Sequence, residues 1–345
     1  MFVMTASAMG ARASNTARRA STVLVTLLGL LALTFIIGRV MPLDPVLAVV
    51  GPDADSSTYD QVYRAMGLDK PIWTQFGLYL NDLLHGNFGN ALLTGHPVLD
   101  DIRRVFPATI ELATLAILFG VLIGLPLGVC AASNQGRLGD HVARVITLFG
   151  YSTPIFWLGM MGLLVFYAWL GWAGGAGRID LAYDGMVPEV TGLLLIDSSL
   201  AGDWEAFASA LRHIVLPALI LGLNSVAYIS RMTRSFMLEQ LSQEYIITAR
   251  VKGLSRRQVV WGHAFRNILV QLLTVVALAY GSLLEGAVLI ETVFAWPGFG
   301  QYLTSSLMLG DMNAVMGCVL VIGLIFVALN LISDALYKVF DPRTR

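Results

Sequence analysis

Residues 231–266 read RMTRSFMLEQLSQEYIITARVKGLSRRQVVWGHAFR, a polar segment set between two long apolar runs. It carries seven of the 22 lysines and arginines in the chain. Ser242-Gln243-Glu244 is expected to open a short helix, with Ser242 as its cap and Glu244 placing negative charge in the first turn. Leu238, Leu241, Tyr245 and Ala249 then share one face at helical spacing. Arg250 and Lys252 suit the negative end of that helix, and Gly253 supplies the left-handed stop. Ser255-Arg256-Arg257-Gln258 has the form of a capping box, which starts a second helix running into the next apolar stretch. Arg256 and Arg257 oppose the dipole of that second helix, at about 0.3–1 kcal/mol each. Something outside the helix is therefore expected to reward them. Lipid phosphate would explain the charge. A docking surface for a cytoplasmic partner would explain both the charge and the compact helix–turn–helix.

Working outward, the flanking runs belong to a set of six. The chain has 345 residues, of which 56% are hydrophobic and 13% charged, and its mean hydropathy is +0.71. A soluble fold of this size cannot cover so much apolar surface. A net charge of −1 without a basic domain excludes a nucleic-acid binder, and two cysteines exclude a disulfide scaffold. Stretches nearly free of charge, each long enough to cross a bilayer, are Ala20 to Gly38, about Pro107 to Gln135, one within Val145 to Gly177, about His213 to Ser230, Asn267 to Ile290, and Met312 to Ser333. The expectation is an all-α polytopic membrane protein with six transmembrane helices. The first run follows Arg12, Arg18 and Arg19 but lacks a small-x-small cleavage site, so it reads as an uncleaved anchor.

With the N-terminus inside, fifteen lysines and arginines fall in inner segments and seven in the much longer outer ones. The positive-inside rule then makes both termini cytoplasmic. The divisions expected are a cytoplasmic tail 1–20, a first helix 21–40, a periplasmic segment 41–106, a core 107–340 with five spans and an inner loop at 231–266, and a tail 341–345. Outer segments Val40 to Phe106, Gly171 to Arg212 and Glu291 to Asp311 are rich in proline and glycine. Short helices are expected at Asp53 to Gly67 and near Trp204 to Leu211, so these segments read as structured docking surfaces.

No phosphate-binding loop, no His-Glu-x-x-His and no Gly-x-Ser-x-Gly occurs. No catalytic residue and no metal site is expected. The five histidines are scattered, and Cys130 and Cys318 read as small core residues. Charges inside the spans are few: Glu111, Glu285 and Asp334, each near an interface. A carrier driven by protons or sodium usually needs ionisable groups near the midplane, so the energy is expected to come from another subunit.

The segment Glu244-Tyr245-Ile246-Ile247-Thr248-Ala249-Arg250-Val251-Lys252-Gly253 followed by His263-Ala264-Phe265-Arg266-Asn267 resembles the coupling loop of ATP-binding-cassette importer permeases of the dipeptide/oligopeptide/nickel group. Leu43-Asp44-Pro45-Val46, Gly67-Leu68-Asp69-Lys70-Pro71, Gly86-Asn87-Phe88-Gly89, Pro107-Ala108-Thr109-Ile110-Glu111-Leu112, Pro154-Ile155-Phe156-Trp157, Glu291-Thr292-Val293-Phe294-Ala295-Trp296-Pro297-Gly298-Phe299-Gly300 and Asp341-Pro342-Arg343 resemble the same group, over about residues 21–345. The chain departs from the pattern at Ile247 and Thr248, at Val270 where a proline is usual, and at Asn87 where aspartate is commoner.

The resemblance implies a type I importer fold, in the bacterial inner membrane, most like the first permease subunit of a dipeptide importer. It implies a second related permease, two ATPase subunits that hold the ATP and magnesium, a periplasmic substrate-binding protein, and lipid contact. It gives the ATPase-coupling role, on residues 239–258, to Glu244, Tyr245, Thr248, Ala249, Arg250, Lys252, Gly253, Arg256 and Arg257. Asn224, Ser225 and Ser282 are candidates for the translocation path. Glu291, Trp296, Pro297, Gly298, Phe299 and Gly300 are candidates for a periplasmic gate or for docking of the binding protein. Nickel, glutathione, an antimicrobial peptide or a haem-like cargo remain alternatives to dipeptides, and a membrane-embedded enzyme or self-powered carrier is the reading from another class.

Overall fold

The computed structural model describes residues 21–38, 45–51 and 53–340. The tails 1–20 and 341–345, the Leu43-Asp44 pair and the side chain of Asp334 lie outside the described residues. Among the described residues every extended element is a helix: α1 Ser21–Gly38, α2 Pro45–Val50, α3 Ser56–Ala65, α4 Ile72–Leu84, α5 Val98–Ser133, α6 Leu138–Ser152, α7 Ile155–Gly162 with a widened turn Leu163–Trp169, α8 Leu194–Ala201, α9 Trp204–Leu241, α10 Glu244–Val251, α11 Phe265–Val293 entered through a widened turn Gln258–Ala264, α12 Phe299–Met308 and α13 Met312–Phe340.

Five helical stretches are long and apolar enough to cross a membrane: α1, α5, α9, α11 with its entry turn, and α13. The sixth expected span is different. The run within Val145 to Gly177 is not one rod, because α6 and α7 meet at 97°. The break falls at Thr153-Pro154, where Thr153 is extended (ψ 128). Proline offers no N–H to continue the helix and pushes its predecessor out of the helical region.

Two further boundaries differ from expectation. α5 starts at Val98, nine residues before Pro107, and carries Pro107 and Pro126 inside it. α9 absorbs the separate short helix expected near Trp204 and runs unbroken for 38 residues through Pro217. Long membrane helices tolerate internal proline because neighbouring groups satisfy the freed carbonyl. Cys130 is exposed near the end of α5 rather than packed in a core, whereas Cys318 is buried.

The chain forms two compact units, divided at Arg103–Arg104, Tyr302–Leu303 and Ala328–Leu329. In the first, α1 meets α4 through Phe35, whose ring lies 5.3 Å from Phe76 and 6.1 Å from Tyr79. Gly323 of α13 brings Leu27 and Leu30 of α1 close. Asp311 caps α13 by accepting the Ala314 N–H (3.1 Å), and it also takes the Leu92 N–H. Asn87 accepts the Gly89 N–H at 3.0 Å.

In the second unit α9 is the central post. It packs against α6, α7, α8 and α11. α5 also comes close to it, because Gly120, Gly124 and Gly128 leave a strip without side chains along α5 at every fourth position. A Cβ at Gly128 would stand 2.5 Å from the Ser230 carbonyl oxygen and 2.6 Å from Thr233 Cβ. Gly222 repeats the device from the α9 side, 2.8 Å from the Ala116 carbonyl oxygen. Lipid tails give helices no hydrophobic reason to associate, so close van der Waals packing over small residues has to hold them. One apolar cluster runs from Leu112 and Ala116 through Ile214 and Leu221 to Leu283, Ile290 and Trp296. A second gathers Val129, Met237, Ile246, Val260 and Ile268.

Gly128→Ala is therefore expected to lower the thermal unfolding midpoint of the purified chain, since a misfitting methylene costs about 1–3 kcal/mol. Gly77→Ala, in a helix with open space around it, is expected to hold or raise the midpoint, alanine being favoured by up to about 1 kcal/mol. Equal effects at the two positions would refute the packing account.

Candidate functional site

The segment 242–258 forms a rigid elbow. α9 ends at Leu241, and the Ser242 hydroxyl donates back to the Glu239 carbonyl at 2.8 Å. Ser242 therefore does not cap α10. The residue at the cap position is Gln243, which makes no side-chain cap bond. The far end of α10 closes as the glycine suggests. Gly253 has φ +80, its N–H donates to Arg250 O (3.0 Å), and the Leu254 N–H donates to Ala249 O (3.3 Å). That pair of bonds is a Schellman motif. The capping box also forms. The Ser255 N–H donates to Gln258 Oε1 at 2.9 Å, and the Gln258 N–H reaches Ser255 Oγ at 3.4 Å.

α10 is apolar on both sides. Ile246 and Ala249 are buried in the second cluster, against residues of α5, α9 and α11. The Tyr245 hydroxyl donates to Gln240 Oε1 at 2.9 Å. On the other side Ile247 and Val251, four residues apart, are 57% and 82% exposed. They form a ridge among the exposed Glu244, Thr248, Arg250, Lys252 and Arg257. Neither ridge residue is among the coupling residues that the resemblance implies, although their i, i+4 spacing stands in the sequence.

Arg256 shows what rewards a cation in an unfavourable first turn. Its guanidinium donates to the Ser133 carbonyl and, at 3.0 Å, to Asn134 Oδ1. Ser133 is the last residue of α5, where unsatisfied carbonyls hold partial negative charge. A charge-assisted hydrogen bond contributes about 1.5–3 kcal/mol, more than the roughly 0.3–1 kcal/mol lost to the dipole.

Toward the start of α5, about ten residues in, a second assembly forms. Trp296 is fully buried and donates its indole N–H to the Ala108 carbonyl at 3.1 Å. The Thr109 hydroxyl donates to Glu291 Oε1 and accepts the Phe299 N–H at 2.8 Å. Glu291 Oε2 accepts the Gln301 N–H at 2.9 Å. A Cβ at Gly298 or Gly300 would fall 2.5 Å or 2.9 Å from the Glu291 carboxylate, so both positions require glycine. Glu111 completes the set. Arg178 bonds its Oε2 at 2.6 Å, and its Oε1 accepts the Leu195 N–H in the first turn of α8 at 2.8 Å. Arg178 also reaches the Gly192 carbonyl at 3.1 Å and stands 5.6 Å over the Trp296 ring. Glu111, expected as an interfacial charge, is thus a nearly buried ion-paired group. Of the six residues offered as a gate or docking surface, Glu291, Trp296, Gly298, Phe299 and Gly300 are buried, and Pro297 is the exposed one. They build the turn from inside rather than presenting it.

Beyond this turn lies an open cavity of about 910 Å³ among the 175–197 loop, Arg104, His213, Ala295 and Pro297. His213 is buried and donates Nδ1–H to the Ser209 carbonyl at 2.8 Å, with Nε2 3.7 Å from Asp180. Asp197 orders the loop. Burial would raise its carboxyl, but the Thr191 hydroxyl and the N–H groups of Thr191, Gly192 and Val190 outweigh that and hold it below the usual carboxylate range.

Asn224, Ser225 and Ser282 come together. They line one cavity of about 380 Å³ with Tyr151, Tyr228, Arg231 and Leu278. Asn224 and Arg231 on α9, and Ser282 and Glu285 on α11, are exposed in this chain. Asn224 and Ser282 are the polar groups at mid-length, with Arg231 and Glu285 toward either end, so this face carries hydrogen-bonding groups that hydrocarbon alone would leave unpaired. Among the described residues no cluster of three or more metal-ligating side chains is present.

Residues 124–345 match the family model described as "Binding-protein-dependent transport system inner membrane component", and residues 15–113 match the N-terminal model of the same system. The chain is 44% identical over 317 residues to the probable D,D-dipeptide transport system permease protein DdpB of Escherichia coli K12, covering 91% of this chain and 92% of that protein. It is 42% identical to the di/tripeptide transport system permease protein DppB of Pseudomonas aeruginosa, over 95% of this chain and 98% of that one. Among solved structures, the inward-facing MetNI methionine ABC transporter aligns with a TM-score of 0.50 at 19% identity, over 67% of this chain and 92% of that one, a likeness of fold.

Removing one member of the buried pair should cost far more than removing both charges. Arg178→Met is expected to destabilise by about 3–5 kcal/mol, by stranding Glu111. In the double variant Arg178→Met/Glu111→Gln most of that loss should return, since the introduced amide keeps an acceptor for the Leu195 N–H. Chemical unfolding of the four proteins of the cycle measures it. Additive losses would show that the pair does not hold the turn.

Proposed function

This chain belongs to the binding-protein-dependent transport system inner membrane component family, and from that premise we propose that it carries dipeptides or short oligopeptides across a bacterial inner membrane as one permease subunit of an ATP-driven importer. Its partners are a second related permease, two ATPase subunits that bind and hydrolyse ATP with magnesium, a periplasmic binding protein that brings the cargo, and the surrounding lipid. Both termini and the Gly253 elbow face the cytoplasm, and the Trp296 turn faces the periplasm.

The observation that carries this reading is the elbow. It is closed by a Schellman turn at one corner and a capping box at the next. It presents Glu244, Thr248, Arg250, Lys252 and Arg257 around an apolar ridge of Ile247 and Val251. A ridge with a polar rim is the form of a protein-docking patch. Beneath it Ile246 and Ala249 are set into three spans at once, and Arg256 grips the end of α5. Force applied to the ridge would therefore reach α5, α9 and α11 together. Nucleotide binding can drive such a motion only by favouring one of two states of the permease pair. The names of the relatives that match over nine-tenths of this chain support peptide cargo. The cavity at Asn224, Ser225 and Ser282 is the proposed path, with the buried Trp296 turn as the gate beyond it.

Gly253→Pro should break the elbow without disturbing insertion. Proline cannot adopt φ +80 and has no N–H for the Arg250 carbonyl. The expected outcome in proteoliposomes holding the complete importer is normal membrane incorporation with ATP-driven peptide uptake at background. Uptake still coupled to ATP hydrolysis would overturn the lever.

A further inference from the structure

Arg231 lines the cavity of Asn224, Ser225 and Ser282, and it also lines a neighbouring cavity of about 640 Å³ between α5, α6 and α9. It stands where the two meet. Two other arginines of that second cavity are already engaged: Arg144 and Arg234 bond the buried Asp140 at 2.6 Å and 2.8 Å. Among the described residues no carboxylate pairs with Arg231. What holds it is the Tyr151 ring, with its centroid 5.2 Å from the guanidinium carbon. A ring under the face of a guanidinium steadies it without neutralising it, and the N–H donors around its edge stay available.

The surroundings restrict what could use them. Asn224, Tyr228 and Arg231 lie on one stripe of α9, at i, i+4 and i+7, facing Leu278 and Ser282 at the same spacing on α11. The cavity residues ahead of Arg231, Asn224 and Ser282 among them, are neutral and able to hydrogen-bond an amide, and the exposed Glu285 stands one turn beyond Ser282 on α11. The cavity's own charge comes at its Gly253 end. The cavity volume falls within the roughly 300–1,000 Å³ of small-molecule sites.

We propose that Arg231, steadied on Tyr151, is a specificity-determining residue of the path that receives the terminal carboxylate of a peptide after its amide has passed Asn224 and Ser282. The planar fork of arginine matches a carboxylate with two parallel donors, which lysine cannot do. A single cation facing a partly wet cavity holds an anion loosely, as a transit point requires. This inference rests on reading the cavity as the path.

The test uses the complete importer in proteoliposomes. Ser282→Cys is placed in a Cys130→Ala background, with and without Arg231→Gln. The thiol is probed with an anionic sulfonate and a cationic trimethylammonium methanethiosulfonate. The ratio of anionic to cationic reactivity should be about three- to tenfold higher with Arg231 than with Arg231→Gln, the neighbouring Glu285 being common to both, as one charge acting across a partly wet cavity implies. Maximal dipeptide uptake should fall severalfold in Arg231→Gln and less in Arg231→Lys, with the half-saturating concentration of loaded binding protein unchanged. If Arg231→Gln fails to assemble, Tyr151→Leu, which unseats the guanidinium, should lower the ratio. A ratio indifferent to these changes, or full uptake by Arg231→Gln, overturns the carboxylate role and leaves the path reading standing. A thiol in Ser282→Cys that reacts with neither reagent in any nucleotide state, together with full uptake by Ser282→Trp, overturns the path reading itself.

Discussion

A guanidinium resting on the last carbonyl of a membrane helix is the contact on which the second unit depends. Arg256 sits in the first turn of the helix that leads into α11, where a cation is unwelcome, and it donates to Ser133 at the end of α5. The two helix ends have opposite partial charges, and one side chain satisfies both the geometry and the charge. Toward its start α5 is fixed again, by Trp296 at Ala108, Thr109 at Glu291 and Phe299, and Arg178 at Glu111. Between these points Gly120, Gly124 and Gly128 hold it against α9. From Ala108 to Ser133 the helix is about 38 Å long at 1.5 Å per residue. The elbow and the Trp296 turn are thus tied to two points of one helix, its last residue and a point about ten residues inside its start.

The two acidic residues near the Trp296 end show how such a site is made affordable. Glu111 has a cation, and the Arg178 that supplies it is itself shared with the Gly192 carbonyl and the Trp296 ring. Glu291 is fully buried and is met by a hydroxyl and by N–H groups of the returning chain. Burial of a carboxylate without such donors would cost several kcal/mol. The chain therefore has to come back close over Glu291, and close return requires Gly298 and Gly300. The residue types follow from the carboxylate, and the carboxylate is what fixes the turn.

The elbow was largely legible in the sequence because its signals are local. A glycine after a basic turn and a serine three residues before glutamine each name their own hydrogen bonds. Ser242 departs from expectation because a serine at a helix–helix junction can serve either neighbour, and the chain uses it to close α9. The bend in the third apolar run was written in Pro154, but a run longer than one crossing hid it. The start of α5 at Val98 could not be read, since polar first turns look like loop. The Trp296 assembly was visible as a set of conspicuous motifs but not as a contact. Ala108 and Trp296 are 188 residues apart, and no periodicity links them. Exposure was inferred from position between spans, whereas the bond donors and acceptors of that segment turn inward. Gly120, Gly124 and Gly128 form a small-residue stripe in the sequence, which hydropathy alone does not distinguish from the apolar residues around it.

The distribution of strong and weak interactions separates two kinds of work. Ion pairs and buried hydrogen bonds gather at the two tied points of α5 and at Asp140, where α6 meets α9. Along the exposed wall of α9 and α11 the groups at mid-length are neutral, Asn224 and Ser282, with Glu285 and Arg231 set to either side. A passage that bound its cargo tightly at mid-length would hold it there, since conduction needs sites weak enough to leave. A body that must move as one piece needs the opposite at its joints. Strong contacts where helices are tied, and weaker ones along the exposed wall, suit a body that moves as one piece and holds a solute only loosely.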